Sequence, residues 1–373
     1  MEFRDLKQQY QLHKKEIDAA IQNVLNNADF IGGSKVRQLE SELAEYVGVK
    51  YCITCANGTD ALQLALMTWN IGKGDAVFVP DFTFFSSGEV VPLVGATPVF
   101  VDIDEGTYNI STKSLETAIE YVLKNTDLNP KVIVAVDLFG QPADFDKIRQ
   151  ISEKYNLLIL EDAAQGFGGR IGEKRACSFG DIATTSFFPA KPLGCYGDGG
   201  AIFTDNDEWA ELLRSYCVHG KGEDKYDNVR IGMNSRLDSL QATVLLEKMR
   251  FFDDEIVRCN NIAEEYTKLL KGFVKVPAVK KEMYSSWAQY TICFSNNKER
   301  EDTIKYLKEN DIPTAVYYRK PLHKQDAFRG YAFDELDYEI TDRVSTRCLS
   351  LPMHPYLDEE RITKIANKIY RKN

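Results

Sequence analysis

The chain has 373 residues, 44% hydrophobic and 27% charged, so it folds into a globular protein of about two to three domains. Its 46 Lys and Arg against 56 Asp and Glu leave a net charge of −10, which offers no general attraction for nucleic acid or an anionic membrane. No apolar run approaches the roughly 20 residues of a bilayer span, and the start, MEFRDLKQQY, lacks the apolar core of a secretory signal, so a cytoplasmic protein is expected.

In chain order, a helical N-terminal arm precedes an alternation of short β-branched runs and helical patterns. The strand candidates are Tyr51–Thr54, Ala76–Pro80, Pro98–Ile103, Val132–Leu138, Leu157–Glu161, Ile182–Phe187 and Ala201–Thr204, with helices near 58–69, 111–124, 144–155 and 207–216. Runs such as Val132–Val136 and Leu157–Leu160 are nearly all apolar, as strands buried on both faces should be. The alternation predicts an α/β domain with a mostly parallel sheet over 1–235. From 236 the texture changes. A long helix is predicted over 236–270, where Leu237, Leu240, Val244, Leu245 and Met249 keep near-helical spacing. Strands at Gln289–Phe294 and Thr314–Tyr318, and helices near 298–309 and 358–371, complete a smaller α+β domain over 236–373.

Eight scattered cysteines suit reduced core thiols rather than a disulfide framework. Cys52 and Cys55 have CxxC spacing, but without a second such pair they read as strand residues, and no metal is expected.

Three windows hold chemistry. Ile182–Gly200 carries only two formal charges, Lys191 and Asp198, and Lys191 stands between Pro189 and Pro192. Such a loop either presents an ordinary surface lysine or desolvates an amine, lowering its pKa and making it nucleophilic enough for a Schiff base. Asp162 ends an apolar strand, where ligands of open α/β sheets gather; it either caps the next turn or holds a pyridinium nitrogen protonated. Asn57-Gly58-Thr59-Asp60 opens a helical run and serves as a plain cap or an anion site. The glycines at 166–172 and 197–200 do not spell the GxGxxG of a dinucleotide fold. Phosphate cradle, acid and lysine in that order point to pyridoxal 5'-phosphate.

The blocks CANGTDAL, IEDAAQ, TSFFPAKPLGCYGDGGAIFT and NSRLDSLQA, framed by FRDLKQQY and LSLPMHPYL, resemble the DegT/StrS-type sugar-nucleotide aminotransferases along essentially the whole chain. The resemblance implies a fold-type I, pyridoxal-phosphate enzyme and a homodimer with shared active sites. It implies that Lys191 forms the Schiff base, Asp162 meets the ring nitrogen and Gln165 neighbours the ring hydroxyl. Gly58, Thr59 and Ser186 match phosphate contacts, Phe84 the aromatic stacked on the ring, and Asn234 a contact from the other subunit. Arg236, Tyr317, Tyr318, Arg319 and His323 lie where the family meets the sugar nucleotide. Two departures bear on the substrate: Tyr317 and Arg319 stand where the family often has His and Pro, and PDFTFF replaces the commoner PGFTY. Lysine rather than histidine at 191 implies amino transfer rather than dehydration. The expected reaction moves an amino group from L-glutamate to carbon 3 of a UDP-linked 3-oxo N-acetylhexosamine or its uronic acid, for surface polysaccharide such as lipopolysaccharide. The alternatives are amination of a 4-keto-6-deoxy sugar nucleotide and a non-catalytic regulatory member of the fold.

Overall fold

The computed structural model describes residues 1–224 and 226–370. The apolar runs assemble one seven-stranded sheet of β1 (Tyr51–Cys55), β2 (Asp75–Pro80), β3 (Thr97–Val101), β4 (Asn129–Val136), β5 (Leu158–Asp162), β6 (Ile182–Ser186) and β7 (Gly200–Thr204). Their spatial order is β1-β7-β6-β5-β4-β2-β3. All pairings are parallel except those of β7, which runs antiparallel between β1 and β6. Val132, Ile133, Val134, Ile159 and Leu160 are fully buried, because helices cover both faces. This is the α/β, mostly parallel architecture expected.

The helices are α1 (Leu6–Asn27), α2 (Ser34–Val47), α3 (Gly58–Thr68), α4 (Phe85–Leu93), α5 (Thr112–Asn125), α6 (Phe145–Tyr155), α7 (Asp207–Tyr216), α8 (Ser239–Leu270), α9 (Asn297–Glu309), α10 (Glu339–Ser345) and α11 (Glu359–Tyr370). Residue 371 of the helix expected near 358–371 lies outside the described residues. On α5 the buried Leu115, Ala118, Ile119 and Val122 form one stripe against the sheet, the i, i+3, i+4, i+7 pattern of a surface helix. On α3 the run Ala61, Leu62, Leu64, Ala65, Leu66 is buried nearly all round, because α4 and α7 pack on it as well as the sheet.

Helix α8 joins two cores. Its first half, with Ala242, Leu245, Leu246 and Phe252, packs on the sheet side with α2. Its second half, with Cys259, Ile262, Ala263, Tyr266 and Leu270, packs on a two-stranded sheet of Tyr290–Cys293 and Cys348–Leu351 and on α11. Leu322, Phe328, Val344 and Cys348, from the C-terminal third of the chain, belong to the cluster around β1 and β2. Thr314–Tyr318 is not a strand. Ala315 makes a single bridge to Ser350, after which Val316, Tyr317 and Tyr318 turn their side chains toward the large-sheet core. Helix α4 was not evident in the sequence, since FSSGEVVPL contains Gly and Pro; burial of Val90 and Val91 against the sheet holds it.

Gly200 starts β7 where the chain after β1 crosses it: a Cβ there would lie 2.5 Å from Asn57 O. Gly200→Ala must force β7 and the start of α3 apart. It is expected to lower the thermal unfolding midpoint by roughly 3–8 °C, read by differential scanning calorimetry.

Candidate active site

The parallel strands deliver their C-terminal ends to one edge, and the residues singled out in the sequence gather there. Asn57 caps α3, its Oδ1 accepting from Asp60 N at 2.8 Å. Gly58 brings the helix start against β6 so closely that a Cβ would lie 2.8 Å from Ser186 Cβ. Thr59 Oγ1 and Ser86 Oγ are 2.8 Å apart. The N-terminal N–H groups of α3 thus lie with the hydroxyls of Thr59, Ser86 and Ser186 in one polar cluster, brought close because position 58 lacks a side chain. Its chemistry fits a phosphate.

Asp162, 5% exposed, ends β5. Its Oδ2 accepts from Ser87 Oγ at 2.7 Å and its Oδ1 from Ala164 N at 3.2 Å. Thr83 Oγ1 stands 3.1 Å from Ser87 Oγ, extending the chain of hydroxyls. Gln165 accepts from Phe139 N at 2.7 Å through Oε1 and donates from Nε2 to the Tyr318 hydroxyl at 3.0 Å. The Tyr318 ring lies 5.9 Å from Phe82 and 6.4 Å from Phe84, and burial raises its phenol pKa. Phe84 itself is 53% exposed, so its ring borders open space rather than core.

Lys191 sits on the connection from β6 to β7 and is half-buried. Desolvation lowers its pKa, the Asp162 carboxylate pulls the other way, and Arg4 adds to the lowering. An amine shifted toward its free form within the field of an acid is what carbonyl chemistry requires of a lysine.

The remaining expected residues are placed less directly. Asn234 and Arg236 flank buried Ser235 and are exposed; Ser235 Oγ accepts from Ala56 N at 3.1 Å. Tyr317 is half-buried beside Phe3. Arg319 donates to Glu301 at 2.9 Å on the surface. His323 is engaged inside the fold: its N–H and Nδ1 meet Asp81 at 2.7 and 2.5 Å, Nε2 lies 3.6 Å from Asp342, and Tyr338 stacks on the ring. The sequence reading missed Ser86, Ser87 and Asp137. The paired hydroxyls directly after the PDFTFF run were the available signal for the first two.

Behind Asp162 lies a second acid pair. Asp137 and Glu161 are fully buried. Glu161 accepts from Cys177 N, Phe179 N and Gly180 N at 2.5–3.0 Å, yet desolvation still pushes its pKa up to about 7. Asp137 accepts from Ala143 N through Oδ1, and burial beside Glu161 raises its pKa well above the ordinary value. Of the two, Asp137 is the one whose surroundings favour the protonated form.

The fold is that of the fold-type I, pyridoxal-phosphate-dependent aminotransferases. The chain belongs to the DegT/DnrJ/EryC1/StrS aminotransferase family, whose profile matches residues 11–370. It is 46% identical over 367 residues, 98% of either chain, to UDP-2-acetamido-2-deoxy-3-oxo-D-glucuronate aminotransferase of Pseudomonas aeruginosa. The crystal structure of a DegT DnrJ EryC1 StrS aminotransferase from Brucella abortus superposes with a TM-score of 0.97 at 48% identity, covering 100% of this chain and 99% of that one. That of S. venezuelae DesV, in complex with a ketimine intermediate, gives 0.93 at 33% identity, covering 99% and 97%. Pyridoxal phosphate is the cofactor.

Asp137, with its folded pKa raised, keeps a proton that the unfolded chain releases near pH 4. Its contribution to stability is full below that pH and is lost as pH rises toward the folded pKa. Asp137→Asn removes this loss while keeping both a donor and an acceptor. The thermal midpoint of the variant relative to the native protein is expected to be higher at pH 8 than at pH 5, by the equivalent of about 1 kcal/mol or more. An equal gap at both pH values would mean that Asp137 is ionised in the fold.

Proposed function

We propose that the protein transfers the amino group of L-glutamate to carbon 3 of a UDP-linked 3-oxo N-acetylhexosamine or its uronic acid, in the cytoplasm, for surface polysaccharide such as lipopolysaccharide. The observation that carries this reading is the desolvated Lys191 opposed to Asp162, in a chain nearly half identical, end to end, to an enzyme named for that reaction.

Gly58, Thr59 and Ser186 would hold the cofactor phosphate, Asp162 would meet the ring nitrogen, Gln165 the ring hydroxyl and Phe84 the ring plane. When bound, the cofactor supplies an electron sink for carbon–hydrogen cleavage next to nitrogen. Lys191 Nζ then removes the proton from the α-carbon of the donor and later delivers one to the sugar carbon. Tyr318, braced by Gln165, and Tyr317 line the sugar side. His323, fixed on Asp81, shapes that wall from behind. Arg319 meets the substrate's anionic groups in exchange for Glu301, a surface pair worth about 0–1 kcal/mol.

A homodimer supplies the rest. Phe30 and Ile31, whose backbone joins Ser239 and Asp238, are exposed, as are Val229 and Ile231, the last at 90%. An apolar set left open around the start of α8 marks a surface to be covered. It would bring Asn234 and Arg236 to the partner's cofactor phosphate and sugar nucleotide.

A panel of keto-sugar nucleotides with glutamate as donor tests the substrate. The 3-oxo UDP sugars are expected to turn over at least tenfold better in kcat/KM than 4-keto-6-deoxy sugars, and borohydride should place the pyridoxyl group on Lys191. A reversed preference would assign amination at carbon 4, and a protein that binds no cofactor would be the regulatory member of the fold.

Lys191→Ala and Asn234→Ala proteins, each nearly inactive, should regain roughly a quarter of native activity when unfolded and refolded together, since hybrid dimers contain one intact site. No recovery in verified hybrids would mean that each site is built from one chain.

A further inference from the structure

Two cations grip the loop that carries Lys191. Arg4, just before α1, donates from Nη2 to Lys191 O at 2.8 Å and to Pro192 O at 3.4 Å. Lys248, buried on α8, donates from Nζ to Gly194 O at 2.7 Å. Gln241 on the same helix accepts from Tyr196 N at 2.8 Å. The loop is held by its backbone, which leaves the Lys191 side chain free to react.

Arg4 is itself held. Phe3 O accepts from Met353 N at 3.1 Å, and the Phe3 ring meets the edge of Tyr317 at 6.4 Å. Glu255 on α8 is the carboxylate that acts on Arg4; Gln9 donates to both its oxygens at 2.9 and 3.2 Å, and the Tyr356 hydroxyl bonds it too. Tyr356, Tyr317 and Cys259 are the other titratable groups facing the guanidinium.

We propose that Arg4 is a positioning residue for the reactive lysine: it ties the N-terminal arm to the Lys191 carbonyl and sets the field in which that amine works. The reasons are geometric and electrostatic. One guanidinium nitrogen meets two successive carbonyls, the nearer at 2.8 Å, and the planar, permanently charged group has less freedom to lose there than an ammonium. Its charge opposes a second charge on Lys191, whereas Asp162 favours one; these are the two charged groups that act on the amine. The N-terminal arm thus becomes part of the active site without touching substrate.

The inference rests on Lys191 as the cofactor-bearing amine, which borohydride mapping decides separately. Its own test is the pH profile of Lys191 labelling by acetic anhydride, read by peptide mass spectrometry on the full chain freed of cofactor, with hydrogen exchange of residues 187–196 alongside. Arg4→Ala should lower the reactive fraction at pH 8 by about three- to tenfold, tenfold being one unit in pKa, and speed exchange in the loop. Arg4→Lys keeps the charge and should label within about twofold of native while still loosening the loop. Arg4→Gln keeps a donor without charge and should label like Arg4→Ala, which covers the case in which the alanine variant fails to fold. An unchanged labelling profile in Arg4→Ala or Arg4→Gln overturns the electrostatic role. Unchanged exchange in Arg4→Lys and Arg4→Ala overturns the tether.

Discussion

Four adjacent strands of the central sheet end on an aspartate, and the need to satisfy these buried acids organises the molecule. Asp81 follows β2, Asp102 follows β3, Asp137 follows β4 and Asp162 closes β5; all are 5% exposed or less. A carboxylate removed from water costs several kcal/mol unless donors replace the solvent. Each finds its donors elsewhere in the chain. Asp102 accepts from Ile340 N, Thr341 N and the Thr341 hydroxyl, and Asp81 from His323. Two acids therefore dock the stretch from Pro321 to α10 onto the large sheet. Asp137 keeps its proton beside Glu161, and Asp162 is met by Ser87 and Ala164.

The docking explains why residues of the C-terminal half sit over the N-terminal sheet. Once His323 is fixed on Asp81, the preceding residues must pass over the strand ends, and Tyr318 reaches Gln165. His323 uses both its backbone N–H and its ring in this docking. The same logic separates the acids by role. Burial beside Glu161 raises the pKa of Asp137, whereas Asp162 is met by a serine hydroxyl and a backbone N–H.

Lys191 balances opposed terms. Desolvation favours the free amine, Asp162 favours the ammonium, and the nearby guanidinium of Arg4 returns the balance toward the amine. That balance depends on a loop whose course is fixed at three carbonyls by Arg4 and Lys248. Gly58 and Gly200 serve the same end by another route, since each lets backbone approach where any side chain would collide.

The sequence by itself determined the class of fold, because all-apolar runs of strand length between amphipathic helices have one economical packing, a buried parallel sheet. It also singled out Lys191, Asp162 and the Asn57–Asp60 helix start, since each is a local anomaly: a lone charge in an uncharged loop, an acid ending an apolar strand, a cap before an apolar helix. Only the tertiary structure decided what depends on partners distant in the chain. Arg4 lies 187 residues from the carbonyl it holds, Ser87 75 residues from Asp162, and Asp81 242 residues from His323. Thr314–Tyr318 has the residues of a strand but leaves the sheet after one bridge, because its aromatic side chains pack in the large-sheet core. Strand propensity measures fit to a pleated surface, and no local pattern says that these rings have a better surface elsewhere.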